Sequence, residues 1–303
     1  MPQTWDAELV VDEDLARKLV ADQFDCLAIE TIEHLGSGWD NTAYLINGEL
    51  VFRFPRRAIA VPFIERESLT LPALSRHLPL TIPVPIYHGQ ASSGYPWPFA
   101  GYRIIAGTTA CRAGLDRQSR VDMAPVLAEF LSCLHMLPVH DYPALGLDSI
   151  GKLDLERVRE RSVGYLKELP ELGLGKYVRT VEEAYDACLG ISPDCCPVLV
   201  HGDFYVRHLI IDRGRITGVI DWGDLHLGNP AVDLSIVRSF LPPEAHARFR
   251  EIYGSISESA WKLAGMRAAF YGLALASYGF ATGDAMIANE ARTTLAFVAE
   301  SLL

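Results

Sequence analysis

The sequence lacks the features that would place the chain in a membrane, in the secretory pathway or on nucleic acid. Its longest apolar stretches, such as residues 268–276, fall well short of the roughly 20 residues that a membrane-spanning helix needs. Residues 1–6 are polar and acidic, so we expect no signal peptide and a cytoplasmic protein. The 27 Lys and Arg residues are outnumbered by 38 Asp and Glu, and the net charge of -11 argues against a nucleic-acid partner.

Paired cysteines are also lacking. The chain has 6 cysteines but no Cys-x-x-Cys motif. The neighbours Cys195 and Cys196 suit neither zinc ligation nor an easy disulfide. We therefore expect all the cysteines to be reduced thiols that lie mostly in the core.

The length and composition are typical of a globular enzyme with two lobes. The chain has 303 residues, of which 50% are hydrophobic and 21% are charged. After an N-terminal helix, the residues up to 105 contain short strand-like runs, whereas helical spacing dominates beyond 106. We therefore predict an N-terminal lobe of residues 1–105 and a C-terminal lobe of residues 106–303.

Residues 198–224 carry the strongest chemical signal in the chain. The apolar run 198–200 leads into Asp203, and the second arm of a hairpin predicted for 209–220 leads into Asp221. His208 lies between the two acids in sequence. Carboxylates and an imidazole at the ends of neighbouring strands predict a general base beside a metal site.

A glycine-rich turn lies earlier in the chain, at Gly36, Ser37 and Gly38. Strand-like segments flank it on both sides, and the next turn, Asn47-Gly48, is typical of a β-hairpin. Because no helix follows the glycines, a dinucleotide-binding fingerprint and a Walker loop are excluded. The context is that of a kinase-type loop over nucleotide phosphates, although Gly-Ser-Gly is also common in plain turns.

A cation on an apolar strand indicates a second part of a phosphate site. Arg53 lies between two phenylalanines on this strand, where a charged group needs a partner. Glu67, in the next predicted helix, is the candidate partner, because kinases hold phosphates with a strand cation paired to a helix glutamate. The alternatives are a solvated Arg53 and a surface Glu67. Tyr102 and Ile104, near the lobe boundary, are the positions where backbone groups would meet a flat heterocycle.

Asp221 and His208 are the candidate metal ligands. Mg²⁺ prefers hard oxygen ligands and nucleotide phosphates, so Asp221 would be the main protein ligand and His208 an unusual second one. Zinc is not expected, because only His201 lies nearby in sequence as a further ligand. Asp203 would orient and deprotonate an attacking hydroxyl, and His201 would brace the loop. Asp233 would cap a helix or tie the loop from below.

These motifs resemble the signature of the aminoglycoside phosphotransferase (APH) superfamily. In chain order they are Gly36-Ser37-Gly38-Trp39-Asp40-Asn41, Val51-Phe52-Arg53-Phe54-Pro55-Arg56, His201-Gly202-Asp203-x₄-His208, Ile220-Asp221-Trp222-Gly223-Asp224 and Pro230-Ala231-Val232-Asp233-Leu234. The similarity spans residues 30–240 in the right order. It implies an α+β, protein-kinase-like fold of two lobes, with an antiparallel sheet in the N-terminal lobe and a mainly helical C-terminal lobe.

The resemblance also implies roles for the candidate residues. Asp203 would be the catalytic base, and His208 and Asp221 would bind Mg²⁺. Arg53 would be the phosphate-binding cation with Glu67 as its helix partner, in a lobe that binds ATP or GTP. The chain departs from the family pattern twice: His208 replaces the usual asparagine, as in macrolide phosphotransferases, and Arg53 replaces the usual lysine.

Several acceptors are compatible with this pattern. A hydroxyl of an aminoglycoside is the first candidate, because a polycationic sugar would suit an acidic lobe. A macrolide is the second, favoured by His208 and by the aromatic, apolar residues 261–278. A metabolite such as a sugar, homoserine or choline is a third. A nucleotide-binding pseudokinase without turnover is the alternative that Arg53 and His208 raise.

Overall fold

The computed structural model describes residues 7–38 and 40–302. The chain divides into two units, Met1–His77 with Thr81–Ile105, and Leu78–Leu80 with Ala106–Leu303. The first residues, for which we expect no signal peptide, lie outside the described residues, as does Trp39.

A five-stranded antiparallel sheet forms the centre of the first unit, in the order β1-β2-β3-β5-β4. Its strands are β1 (Ile32–Ser37), β2 (Asn41–Ile46), β3 (Leu50–Pro55), β4 (Pro85–Gly89) and β5 (Phe99–Arg103), and its helices are α1 (Glu13–Gln23) and α2 (Val61–Leu74). The predicted hairpin turn joins β2 to β3, with positive φ at both Asn47 and Gly48. Asp12 caps α1, because its carboxylate accepts a hydrogen bond from Leu15 N.

Alternation along β3 separates an apolar face from a polar one. Phe52 and Phe54 are fully buried and pack with Phe99 and Tyr95 in an aromatic core. Arg53 therefore points to the opposite face of the sheet, the side on which it meets a residue of α2. The fold of this unit thus fixes which face of the sheet carries charge.

Helices dominate the second unit, together with two small antiparallel sheets. The strands are β6 (Thr108–Thr109), β7 (Val198–Val200), β8 (Leu209–Asp212), β9 (Arg215–Val219) and β10 (His226–Gly228), paired as β6-β8-β9 and β7-β10. The helices are α3 (Arg117–Asp122), α4 (Ala124–His135), α5 (Leu155–Glu168), α6 (Val178–Asp186), α7 (Ala231–Ser239), α8 (His246–Tyr253), α9 (Glu258–Ala281) and α10 (Ala285–Glu300). The antiparallel sheet followed by helices confirms the predicted α+β class.

One predicted helix is confirmed over most of its length but begins later than predicted. Helical spacing predicts a single helix over 121–136, but the structure has α3 and α4 with a break at Met123. Pro125 lies in the first turn of α4, where its missing N–H costs no hydrogen bond. Its ring is incompatible with the interior of a continuous helix, so the chain ends one helix and begins another.

No helix in residues 7–38 and 40–302 combines the length and the apolar character that crossing a membrane requires. The longest, α9, extends five residues beyond the predicted end, 276, to Ala281. Most of its residues are buried, because helices pack around it. It crosses α10 so closely that a Cβ on Gly279 would lie 2.6 Å from the backbone nitrogen of Ala288.

This contact predicts opposite effects for two glycine substitutions in helices. Gly279→Ala should lower the free energy of unfolding by about 1–3 kcal/mol, because backbone atoms of α10 cannot yield as a side chain could. Gly164, in α5, has open space where a Cβ would lie. Gly164→Ala should therefore raise the free energy of unfolding by about 1 kcal/mol. Chemical denaturation of both variants provides the measurement. Stabilisation by both would show that α9 and α10 are not in close contact at Gly279.

Candidate active site

A tight turn follows β7 and carries His201, Gly202 and Asp203. Gly202 has φ +88°, and a Cβ there would lie 2.2 Å from the carbonyl oxygen of Asp224. Only glycine therefore fits, since a side chain would meet backbone atoms in a conformation that L-residues rarely adopt. The side chain of Asp203, which ends the turn, remains 31% exposed.

Asp233, near the start of α7, holds this turn from inside the protein. Its Oδ2 accepts a hydrogen bond from His201 N at 2.7 Å, and its Oδ1 accepts one from Gly202 N at 2.9 Å. His135 Nε2 lies 3.2 Å from Oδ2 and donates to it, because a carboxylate only accepts. Burial alone would raise the pKa of Asp233, but its bonds to His135 and the turn outweigh that effect and lower it.

His201 links the turn to the strand that precedes Asp221. Its Nε2 donates to the carbonyl oxygen of Ile220 at 3.0 Å, so its Nδ1 accepts from Asp203 N at 3.3 Å. The ring is fully buried, and this burial lowers the pKa of His201. A neutral imidazole with both nitrogens engaged is suited to bracing the loop.

His208 lies between the two acids. Its Nδ1 is 2.7 Å from the carbonyl oxygen of Asp203 and donates to it, since a carbonyl only accepts. The other ring nitrogen, Nε2, is 3.3 Å from Oδ2 of Asp221, and Nδ1 is 3.8 Å from Oδ2 of Asp203. The structure therefore brings together the three residues that the sequence singles out in this segment.

Asp221 is held in an unusual backbone conformation. It has φ +64°, which is uncommon for a residue other than glycine, and its side chain is 49% exposed. The next residue, Trp222, is fully buried and donates its indole N–H to the carbonyl oxygen of Val219 at 3.0 Å. The buried indole anchors the turn and therefore restricts the backbone position of Asp221.

The donor set is compatible with Mg²⁺. Because Nδ1 of His208 carries a proton, a neutral ring presents the lone pair of Nε2 toward Oδ2 of Asp221. Two acceptors at this separation need a proton or a cation between them, and adjacent ligands of one Mg²⁺ lie about 3 Å apart. No cluster of three or more His, Cys, Asp and Glu residues in the described part of the chain could hold a metal ion. His208 and Asp221 would supply two ligands, and Mg²⁺ usually takes further ligands from phosphates and water.

A buried lysine approaches the same turn. Lys152 is 4% exposed, and its ammonium group donates to Oδ2 of Asp224. Burial alone would raise the pKa of Asp224, but the charge of Lys152 outweighs it and lowers the pKa. Asp224 is therefore an ionised partner of Lys152.

In the first unit, Arg53 meets Glu67 as predicted. Its Nη1 lies 3.0 Å from both carboxylate oxygens of Glu67, which is 1% exposed. Tyr102, itself buried, donates its hydroxyl to Oε2 of Glu67 at 2.8 Å. The charge of the glutamate is thus compensated inside the unit, and the side chain of Arg53 remains 17% exposed.

The glycine-rich turn joins β1 to β2, so its strand–turn–strand context is confirmed. Gly36 lies at a bulge in β1, the hydroxyl of Ser37 is 3.4 Å from that of Thr42, and Gly38 N donates to Asn41 O. The residue that follows Gly38, Trp39, is outside the described residues.

Ile104 occupies the end of the sheet. Its N–H donates to the carbonyl oxygen of Glu49 at 2.8 Å, so this donor is already used within the unit. Its side chain is 41% exposed and lines a recess of 220 Å³ together with mainly aliphatic residues. These residues are Thr81, Ile82, Val84, Ile86, Arg103 and Ile105.

Sequence reasoning missed other residues that the structure places around the turn. Tyr271 donates its hydroxyl to Oδ1 of Asp203 at 2.8 Å, and Arg267 lies one helical turn before it. His135 and Lys152 were likewise not predicted as partners of the acids. Tyr271, Lys152 and His135 are separated from their acids by 68, 72 and 98 positions in sequence, and no local motif marks them.

Comparison with known proteins places the chain in a family. A model of the APH phosphotransferase enzyme family matches residues 31–268. The chain belongs to this family. The predicted resemblance is therefore confirmed, and the APH match includes parts of both units and all of the candidate residues predicted from the sequence.

Curated relatives of this APH-family chain are distant. It is 25% identical over 224 residues to the uncharacterised protein YcbJ of Bacillus subtilis, covering 70% of this chain and 69% of YcbJ. It is 26% identical over 162 residues to an aminoglycoside 3'-phosphotransferase of Escherichia coli, covering 49% of this chain and 55% of that enzyme. Identity at this level leaves the acceptor open.

Solved structures confirm the protein-kinase-like fold that the resemblance implies. The GDP and kanamycin complex of APH(2″)-IIIa has a TM-score of 0.68 at 23% identity, covering 93% of this chain and 97% of that chain. A macrolide 2'-phosphotransferase type I has a TM-score of 0.59 at 21% identity, with coverages of 95% and 98%. The fold is thus shared with both aminoglycoside and macrolide phosphotransferases of the APH type.

The role of Asp233 predicts a large loss of stability in Asp233→Ala. Two backbone N–H groups would be left buried without a partner, so the free energy of unfolding should fall by about 2–5 kcal/mol. Asp154→Ala removes a carboxylate that also accepts from two backbone N–H groups, but at the exposed start of α5, and should cost about 1 kcal/mol. Chemical denaturation of the two variants measures the difference, and equal losses would contradict this role of Asp233.

The pH dependence adds a second check on Asp233. Its pKa is lower in the folded protein than in the unfolded chain, so the carboxylate stabilises the fold at high pH. The stability difference between wild type and Asp233→Ala should be complete above about pH 4 and should shrink at lower pH.

Proposed function

We propose that this protein transfers the γ-phosphate of ATP or GTP to a hydroxyl group of a small molecule, with Mg²⁺. The observation that carries the proposal is the arrangement of Asp203, His208 and Asp221. Two partly exposed carboxylates flank one imidazole, in a member of a phosphotransferase family. Such a group can accept a proton at one end and hold a cation at the other.

Asp203 is the proposed catalytic base. Its Oδ1 accepts from Tyr271, which leaves Oδ2 to accept the proton of the acceptor hydroxyl. As that proton moves to Oδ2, the hydroxyl oxygen bonds to the γ-phosphorus and the bond to the β-phosphate oxygen breaks. The phosphorylated acceptor and a nucleoside diphosphate are the products.

His208 and Asp221 are the proposed holders of Mg²⁺. When bound, the ion neutralises the charge of the nucleotide phosphates and positions them for transfer. The chain's contribution is to fix the two ligands. His208 is held by its hydrogen bond to Asp203 O, and Asp221 by the buried Trp222 that follows it.

The first unit is the proposed nucleotide-binding part. Arg53 would bind phosphate oxygens, with Glu67 and Tyr102 fixing its position. The turn at residues 36–38 would cover the phosphates. The aliphatic recess beside Ile104 has the apolar lining that a flat base prefers.

An aminoglycoside is the acceptor we propose first. The net charge of -11 favours a polycationic ligand, and the curated relatives include aminoglycoside 3'-phosphotransferases. Such an activity would confer antibiotic resistance. A macrolide is the second candidate, supported by His208 and by the structural similarity to a macrolide 2'-phosphotransferase. The protein would act in the cytoplasm, where nucleoside triphosphates are available.

Asp203→Ala tests the enzyme against a pseudokinase. Nucleotide consumption with Mg²⁺ is measured for wild type and variant against a panel of aminoglycosides, macrolides and hydroxyl metabolites. The variant should lose about 10²–10⁴-fold in kcat, because the base is absent, while its Kd for nucleotide should stay within about threefold. Nucleotide binding by wild type without turnover on any acceptor would favour the pseudokinase. A wild type with neither turnover nor a nucleotide-induced Tm shift would contradict the whole proposal.

Arg53 variants test the nucleotide site. The double variant Arg53→Gln/Glu67→Gln removes both charges together, so no buried carboxylate loses its partner. Its Kd for MgATP and MgGTP should rise about 10–100-fold, because charged hydrogen bonds to phosphate are lost. Arg53→Lys keeps the charge and should change Kd less than about fivefold. Titration calorimetry measures both, and Arg17→Ala in α1 is the control for loss of a surface arginine.

A further inference from the structure

Tyr271 makes a contact that no sequence motif indicates. It lies in the middle of α9, is 5% exposed, and donates its hydroxyl to Oδ1 of Asp203 at 2.8 Å. The phenol of a buried tyrosine needs a hydrogen-bond partner, and here that partner is the carboxylate that we propose as the base. A hydrogen bond to an ionised oxygen is stronger than one between neutral groups and fixes the plane of the carboxylate.

Stacking holds the ring of Tyr271 in place. Tyr205, two residues after Asp203, lies parallel to it, with ring centroids 4.8 Å apart and an angle of 4° between the planes. Tyr205 also contacts the ring of His208, with centroids 4.6 Å apart and an angle of 74° between the planes. The two tyrosines therefore connect Asp203 with His208 through rigid aromatic groups, which keep few rotatable bonds.

A buried arginine supports the hydroxyl of Tyr271 from behind. Arg267 is 4% exposed, and its Nη2 donates to the hydroxyl oxygen at 3.2 Å. Its Nε and Nη1 atoms have no hydrogen-bond partner in the described part of the chain. Burial alone would lower the pKa of Arg267, but Tyr271 and the carboxylate of Asp203 outweigh it and raise the pKa.

Such a charge is costly unless another charge compensates it. Burying a guanidinium with few hydrogen bonds disfavours folding, and a nearby carboxylate reduces that cost. Asp203 and Asp224 are two acids whose charges favour the protonated form of Arg267. Since Lys152 already pairs with Asp224, Asp203 is the acid that remains for Arg267, with Tyr271 between them.

We propose that Tyr271 is a positioning residue for Asp203, and that Arg267 acts through Tyr271 by polarising its hydroxyl. The proposal rests on the proposed function. Oδ1 is occupied by the tyrosine, so Oδ2 keeps one orientation toward the acceptor hydroxyl. Because Tyr271 acts on the orientation of the base and not on ligand binding, its loss should reduce kcat without changing KM.

Tyr271→Phe is the test, since it removes the hydroxyl and keeps the ring for stacking on Tyr205. Transfer from MgATP and MgGTP to the acceptor found in the panel is measured, together with hydrolysis in the absence of acceptor. We expect kcat for transfer to fall about tenfold or more, with KM for the acceptor and Kd for the nucleotide within about twofold. A wild-type kcat, or a fall in kcat matched by a rise in KM, would overturn the role of Tyr271.

Tyr185→Phe is the matched control. Tyr185 is a buried tyrosine of the same unit whose hydroxyl lies 2.7 Å from Ser162 Oγ, a residue that the proposed mechanism does not use. Its loss removes one buried hydrogen bond and should leave kcat within about twofold of wild type. Equal losses of kcat in Tyr185→Phe and Tyr271→Phe would show a general packing effect and overturn the proposal.

Arg267→Met tests the proposal that Arg267 acts through Tyr271. If Arg267 acts through Tyr271, the double variant with Tyr271→Phe should have the kcat of Tyr271→Phe alone. Losses that multiply would overturn the coupling. A wild type without turnover would remove both the proposed function and this inference. If Asp203→Ala abolishes turnover and Tyr271→Phe does not reduce it, the inference alone fails.

Discussion

The bonds between the Asp233 carboxylate and two backbone N–H groups are the constraint on which the candidate site depends. They fix the turn at His201 and Gly202, where Gly202 has positive φ, and Asp203 follows this turn with a partly exposed side chain. A fully buried carboxylate is stable only when hydrogen bonds replace its hydration, and the turn and His135 supply them. The buried Asp233 therefore positions the partly exposed Asp203.

Environment separates acids that are otherwise identical in chemistry. Asp233 is buried and fully engaged, so it is structural, and Asp224 is paired with Lys152. Asp203 and Asp221 keep exposed carboxylates, 31% and 49% respectively. Exposure leaves these two able to meet a ligand, and His208 between them links their positions. The different roles that we propose for these four aspartates follow from their burial and not from residue type.

The departures from the family pattern have local physical explanations. Arg53 keeps the charge of the usual lysine and is compensated by Glu67, which Tyr102 also contacts. His208 supplies one nitrogen to a backbone carbonyl and presents the other toward Asp221, so it has a ligand atom in place of the usual amide oxygen. Neither replacement removes the group that the proposed chemistry needs.

Much of the fold was predictable because its determinants are local. Turn residues at 47–48 and 213–214, alternation along β3, and caps such as Asp12 act over a few residues, and Pro125 marks the helix break that spacing alone did not reveal. The sequence by itself also determined the family and the motifs that contain Asp203, His208 and Asp221. Tertiary structure alone decided that Tyr271 contacts Asp203 across 68 positions, because packing of whole helices sets such contacts and no short-range pattern encodes them.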